Sequence, residues 1–447
     1  MRMRQTLARD KTVMLKTGFS RREILAAVGA LPALTGTNAG ARASTAVGAT
    51  SAAPVAGTEH AEDATKANSR HALPDKSNFA FAGVYLDAAF THPLSGVAFT
   101  AASDYLALRS RDPQGVGPRH NARSGAVERF ARLINATPAD IAIVPSTMEG
   151  ENLINASLGI GPGAGVVTDG LHYDGSLALY GELQRRGAPL VVVRPRGGRI
   201  DLADVRAAFT KDTKLLAVSL VSSTTGFEYD LAELCSLAHA HEVLVYADLI
   251  QAAGAVPIDV KAAGVDFAAC GTYKWLMGDF GTAFLYVRPD SLQRLKRVEV
   301  GWRQVRNQHS HVLPLETPGP VLGSYELAAD AAGMFEVSTP SWGPLATVAA
   351  SLDYIEELGV DTIMRYRQPL LDRIQAELPQ HGFAALTPSG SRGPIVAYAC
   401  KDASQRFAMR LQSEQLQISV YESRIRISPS IYNTMDDVER LLKILST

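Results

Sequence analysis

Cysteine is almost absent from this chain. Three residues, Cys235, Cys270 and Cys400, stand among 447. So sparse and odd a count is no disulfide framework, and no pair has metal-site spacing. Each reads as a small buried hydrophobe. Long apolar runs are lacking too. Residues 24–34 fall well short of the roughly 20 apolar residues that a membrane-spanning helix needs, and no later stretch does better. The body also lacks excess positive charge. Residues 1–43 carry eight Lys or Arg against two acids, while the whole chain is −1, so residues 44–447 are net −7. A mildly acidic body argues against a nucleic-acid surface. What is present is 46% hydrophobic and 20% charged. That suffices for about two or three domains with at least one large core, and it excludes wholesale disorder and collagen.

The basic N-terminus reads as an address. Arg21 and Arg22 precede the mild apolar stretch 24–34, and Ala41-Arg42-Ala43 follows as a small-residue cleavage site. This is the pattern of a twin-arginine signal. The other reading is a cytosolic amphipathic N-terminus. The first reading makes the twin-arginine export machinery a partner and places the cleaved protein in the periplasm or outside. Met14 is an alternative start. Residues 44–77, rich in Ala, Thr, Ser and Gly, read as a flexible linker.

From residue 79 the chain alternates strand and helix patterns. Short apolar runs at 141–144, 165–168, 190–193, 215–221, 243–247 and 283–287 look like buried strands. Between them, 231–241 puts Leu231, Leu234, Cys235 and Ala238 on one helical face. Near-continuous Val/Leu/Ile strands separated by helices predict an α/β fold with a mainly parallel sheet covered on both faces. Ligands of such sheets sit at the carboxyl ends of strands. The polar residues there are Ser146, Thr147 and Met148; Asp169 and His172; Ser222, Ser223 and Thr225; Asp248 and Gln251; and Thr272, Tyr273 and Lys274. After about residue 345 a long helix (346–358), strands at 395–399 and 424–428 and a last helix at 435–445 suggest a smaller α/β domain. The expected division is 78–345 for an N-terminal arm and large domain, and 346–447 for the small one.

Asp248, in Val243-Leu-Val-Tyr-Ala-Asp248-Leu-Ile-Gln251, precedes Lys274, in Gly271-Thr-Tyr-Lys274-Trp, by 26 positions. This pairing resembles the fold-type I, class V aminotransferase family. Its members include cysteine desulfurases, selenocysteine lyases, kynureninase and isopenicillin N epimerase, and they use pyridoxal phosphate. The resemblance runs from about Tyr85 to the C-terminus. It implies a seven-stranded, mainly parallel sheet in the large domain, a small C-terminal α/β domain and a homodimer.

Pyridoxal phosphate asks a protein for a lysine, a carboxylate, a phosphate cradle and a stacking ring. Lys274, among aromatic and apolar residues, can hold the aldehyde as a Schiff base and move protons. Asp248 can keep the ring nitrogen protonated. Ser146, Thr147 and Met148 open a helix whose N–H groups and hydroxyls suit phosphate. His172 fills the family's stacking position. Singly, each has an ordinary reading as a turn former, surface lysine, helix cap or core histidine. In this order and spacing they read jointly as a cofactor site. The resemblance further implies that Gln251 bonds the cofactor's phenolic oxygen. Ser223 stands beside it, where Asn is common. Thr272 and Tyr273 would reach the phosphate, and Thr339 the phosphate of the neighbouring subunit. Arg424-Ile-Arg426-Ile-Ser428 through Tyr432-Asn433-Thr434 resembles the family's carboxylate signature, making Arg426 the clamp for an α-carboxylate. Ala88, in Tyr85-Leu-Asp-Ala-Ala89, lies in the family's substrate loop. No metal site is expected.

The reaction expected first is aminotransferase-type chemistry on an amino acid or an amino-acid-derived peptide or siderophore. An epimerase and a cysteine-independent β-lyase are the alternatives, and a non-catalytic cofactor-binding module is a remote one. A persulfide-forming desulfurase is disfavoured, because residues 412–423, before the arginine signature, contain no Cys.

Overall fold

The computed structural model describes residues 72–112, 114, 116–319 and 323–446, without the side chains of 116–121. The signal and most of the linker expected from the sequence, residues 1–71, lie outside the described residues.

Seven strands form the large sheet: β1 (Ile141–Val144), β2 (Gly165–Asp169), β3 (Leu190–Val193), β4 (Thr213–Ser219), β5 (Leu244–Asp248), β6 (Phe267–Gly271) and β7 (Ala283–Val287). Their order across the sheet is β1-β7-β6-β5-β4-β2-β3. The pairs from β6 to β3 are parallel, and β7 runs antiparallel to both β6 and β1. The exception has a simple cause. The loop from β6 to β7 is shorter than the dozen or more residues that a parallel crossover requires, so the chain must turn straight back. That loop carries Lys274.

Side chains alternate between two buried layers, as the pleat dictates. Val167, Leu216, Val218, Val245 and Ala247 join one core with Phe130, Leu234 and Cys235. Val166, Leu215, Ala217, Leu244 and Tyr246 join the other, with Leu153, Ile154 and Leu158 of helix α1 (Thr147–Leu158). Because both faces are covered, β1, β2, β5, β6 and β7 are buried at every position. This is why they read as unbroken apolar runs.

A second sheet lies in the C-terminal part. It comprises β8 (Ala384–Ala385), β9 (Val396–Ala399), β10 (Ser419–Val420) and β11 (Arg424–Ile427), all antiparallel, in the order β8-β9-β11-β10. Helix α4 (Met435–Leu445) covers it with Val438, Leu441, Leu442 and Leu445. A capping box starts α4: Thr434 Oγ1 accepts from Asp437 N, and Asp437 Oδ2 accepts from Thr434 N. Helix α2 (Asp174–Arg185) follows β2, and helix α3 (Trp342–Leu358) leads toward the C-terminal part.

Among the described residues, both sheets belong to one compact unit. Three details differ from the expected division. The 345/346 boundary falls inside α3, whose Leu345, Val348 and Leu352 pack into the large core. At the other end, Val84–Tyr85 pairs parallel with Leu416–Gln417, and Asp87 bridges Ser428. Val84 and Leu86 therefore belong to the C-terminal core. Leu73 and Asp75, inside the stretch read as linker, are packed: Leu73 lies against the Tyr432 cluster, and Asp75 N donates to Ile431 O.

Candidate active site

Pro145 turns the chain from β1 into α1. Ser146 caps the helix, its Oγ accepting from Glu149 N at 3.1 Å. Thr147 is buried, and its Oγ1 accepts from Gly271 N at 2.8 Å, tying the start of α1 to the end of β6. Glycine suits position 271 because a Cβ there would come within 3.1 Å of that hydroxyl and 3.0 Å of Ile250. Met148 is half-buried, its Sδ 3.6 Å from Ser176 Oγ. The first turn of α1 thus offers N–H groups and the positive end of a helix dipole. Replacing Thr147 by Val leaves the Gly271 N–H buried without an acceptor. The expected cost is about 1–3 kcal/mol in urea denaturation, and Thr147→Ser should avoid it. An unchanged midpoint for the valine variant would mean that this N–H has another acceptor.

Asp248 ends β5. Its Oδ1 accepts from Ile250 N at 2.9 Å, and no ion pair joins it to a described residue. Burial pushes its carboxyl up to about 6, against the Ile250 N–H and the charges of His172 and Lys274. Lys274 is half-buried just past β6, its Nζ 5.7 Å from the centroid of the Tyr273 ring. Burial pushes its amine down to about 8, against the pull of Asp248.

His172 is held from inside the protein. Its side chain has no exposed surface. Nδ1 lies 2.8 Å from Ser219 Oγ and Nε2 3.1 Å from Glu151 Oε1, so both nitrogens are held from inside the protein. Tyr173, next in the chain, is 45% exposed.

Two further expectations, Gln251 and Thr272, meet competing hydrogen bonds. Gln251 Nε2 donates to Ala89 O and Oε1 accepts from Trp275 Nε1, both at 2.9 Å, so the amide braces the lysine loop. Thr272 is fully buried, and its hydroxyl serves the carbonyls of Asp279 and Thr282 rather than a phosphate. Ser223 meets Arg426 through its backbone carbonyl, which accepts from Nη1 at 3.1 Å. Tyr273 is half-buried and stacks on Phe280, with centroids 4.6 Å apart.

Arg426, on β11, is 4% exposed. Its Nη2 donates to Ser419 Oγ at 2.9 Å and to Asp87 Oδ1 at 3.3 Å. Its Nε is buried and bonds nothing among the described residues. Ser419 Oγ in turn donates to the Asp87 carboxylate at 2.8 Å. Burial pushes Asp87 up to about 6 even against Arg426 and Ser419. Ala88 is fully buried, its N–H on Ser428 O at 3.1 Å. Thr339 lies elsewhere, exposed on a loop that lines a cavity of about 180 Å³ with Pro145 and Gly281.

The structure therefore brings Asp248, Lys274 and His172 into one electrostatic cluster at the carboxyl edge of the sheet, with Thr147 joined to the end of β6 and Arg426 to the loop after β4. A buried carboxylate without an ion-pair partner, beside an amine of lowered pKa, is the donor set that a protonated heterocycle and an aldehyde need, and in that respect the site fits pyridoxal phosphate. Three residues of the site were not singled out from the sequence. Asp87 was signalled by its place in the Tyr85-Leu-Asp-Ala-Ala89 motif. Glu151 was signalled as a carboxylate on the apolar stripe of a helix. Ser419 gave no signal, because its role depends on a partner 332 residues away.

The family description Aminotransferase class-V matches residues 84–441. A probable cysteine desulfurase from Methanothermobacter thermautotrophicus is 28% identical over 299 residues, 66% of this chain and 72% of that protein. A cysteine desulfurase from Klebsiella pneumoniae is 27% identical over 394 residues, 80% of this chain and 91% of that protein. Among solved structures, the cysteine desulfurase CsdA from Escherichia coli superposes with a TM-score of 0.72 at 20% identity, covering 83% of this chain and 96% of its own. The cystine C–S lyase C-DES, in complex with cysteine persulfide, gives 0.72 at 21%, covering 81% and 97%. These two likenesses establish the fold, and the family match spans most of the sequence: the chain belongs to the aminotransferase class-V family.

Proposed function

We propose that the chain is a pyridoxal-phosphate-dependent enzyme acting on the α-amino group of an amino acid or an amino-acid-derived substrate. The carrying observation is the pair formed by buried Asp248, with no ion-pair partner among the described residues, and Lys274, with its lowered pKa. When bound, the cofactor supplies an aldehyde for amines and a protonated ring that draws electrons from Cα. The protein's residues do the rest. Lys274 would hold the cofactor, and its free amine is the group that would take the α-proton. Asp248 holds the proton on the ring nitrogen. The first turn of α1 binds the phosphate, with the Thr147 hydroxyl hydrogen left to donate. Arg426 binds the substrate carboxylate, Asp87 and Ser419 orienting its guanidinium and leaving Nε free.

Aminotransferase-type chemistry is the first reading, in which Lys274 both removes and returns the proton. A second reading, β-elimination without a protein thiol, is favoured by the desulfurase names of the relatives together with the burial of all three cysteines. Two measurements test these readings. Borohydride reduction and peptide mapping should fix the cofactor on Lys274, and the visible band should shift when amino acids are added. Keto-acid dependence then marks transamination, and pyruvate or sulfide release without a keto acid marks elimination. A band that no amino acid shifts leaves a binding module.

The Asp248 shift sets a pH dependence. Its ionised form holds the ring proton, so cofactor affinity should fall as pH drops through about 6. Asp248→Asn should bind weakly at every pH, without that limb. A homodimer with Thr339 reaching the neighbour's phosphate belongs to the same proposal; sedimentation and cofactor affinity of Thr339→Ala test it. So does twin-arginine export, which Arg21→Lys with Arg22→Lys should block.

A further inference from the structure

We propose that Glu151 is a positioning residue that fixes His172 as an imidazolium, so that a standing cation rather than a titrating base lies beside Asp248. Glu151 sits on the inward face of α1 with Thr147, Ile154 and Leu158. Its side chain has no exposed surface. Ser176 Oγ donates to Oε2 at 2.6 Å, and Tyr180 OH donates to Oε1 at 2.6 Å. Both hydroxyls come from one face of α2, four residues apart. Such donors favour the ionised carboxylate. A buried carboxylate ion is costly unless a cation pairs with it. The cation within reach is His172, Nε2 to Oε1 at 3.1 Å.

The opposite edge of the ring agrees. Nδ1 faces Ser219 Oγ at 2.8 Å, and a hydroxyl can accept. Nε2 thus faces an acceptor and Nδ1 a hydroxyl free to accept, an arrangement in which a doubly protonated ring is fully bonded. The remaining charged neighbours are Asp169, at the end of β2, and Asp248, at the end of β5. Asp169 is tied to Leu171 N and Tyr229 OH. One imidazole therefore stands among three buried carboxylates. Burial alone would favour the neutral ring, yet Glu151 outweighs it: His172 lies above its ordinary range and Glu151 below. The consequence for the site rests on the function proposed above. A fixed cation helps Asp248 stay ionised, and it leaves His172 unable to serve as the second base of an epimerase.

The test is the protonation state of the ring. Holoenzyme labelled with ¹⁵N-histidine, with His172 assigned by its loss in His172→Asn, should show both ring nitrogens protonated at pH 7 and a midpoint above that of an ordinary histidine. Glu151→Gln should lower that midpoint, because burial then favours the neutral ring. A neutral ring in the wild type at pH 7, or an unmoved midpoint in the variant, overturns the proposal. Should Glu151→Gln not fold, the wild-type titration still decides. Failure of the functional reading would show separately, as a protein with no cofactor band.

Discussion

Lys274→Ala should lose about 10⁴-fold or more in turnover while keeping its fold. The size follows from the two duties placed on one amine. A positioned acid–base group contributes about 10²–10⁴-fold, and here the same group also anchors the reactive cofactor. The fold should survive because Lys274 pays an environmental cost. Burial lowers its pKa from 10.5 to about 8. Between those values the unfolded chain binds more protons than the folded one, so this group's contribution to stability rises with pH through that window and is unfavourable at pH 7. Lys274→Ala should accordingly match or exceed the wild type in denaturation midpoint at pH 7 and lose the alkaline rise. Added ethylamine should restore part of the activity if the missing function is proton transfer. Retained turnover would remove Lys274 from the chemistry, and a collapsed midpoint would make it a structural residue.

The strands around this lysine were legible because a doubly covered sheet leaves unbroken apolar runs, and β1 and β7 fall where those runs stop. The run 215–221 overshoots β4. Leu220 and Val221 are buried, but Leu220 bonds Asp248 O and Val221 bridges Glu228 outside the ladder. An apolar pattern reports burial, not pairing. Asp248 and Lys274 were legible for another reason: their chemistry needs those two residue types at two neighbouring strand ends. Gln251 and Thr272 show the limit. Their positions could be read, but not where their hydrogen bonds go. A buried indole N–H needs an acceptor, and Trp275 takes the Gln251 amide oxygen. Likewise the His172 ring is drawn inward by Glu151, an interaction that exists only once α1 packs on the sheet.

Arg426→Ala should fail in two separable ways. As a substrate clamp its loss should lower kcat/KM by about 10²–10³-fold, mostly through KM, in line with about 2–5 kcal/mol for removing one side of a buried charge pair. As a structural cation its loss strands Asp87, whose side chain is 5% exposed, with Ser419 alone. Breaking such a pair typically costs about 3–5 kcal/mol, less where the stranded group can take a proton. Asp87 is already raised from 3.8 to about 6, so its contribution to stability is full below the unfolded value and is lost as pH rises through about 6. Without Arg426 that pKa climbs further. The destabilisation should therefore be largest at pH 8 and shrink toward pH 5. Adding Asp87→Asn to Arg426→Ala removes the stranded charge and should recover most of the stability at pH 8, while leaving KM high. If the double variant recovers both stability and KM, Arg426 is a partner for Asp87 and nothing more. If stability alone returns, the guanidinium has a second duty, and the carboxylate it was left free to bind is the substrate's.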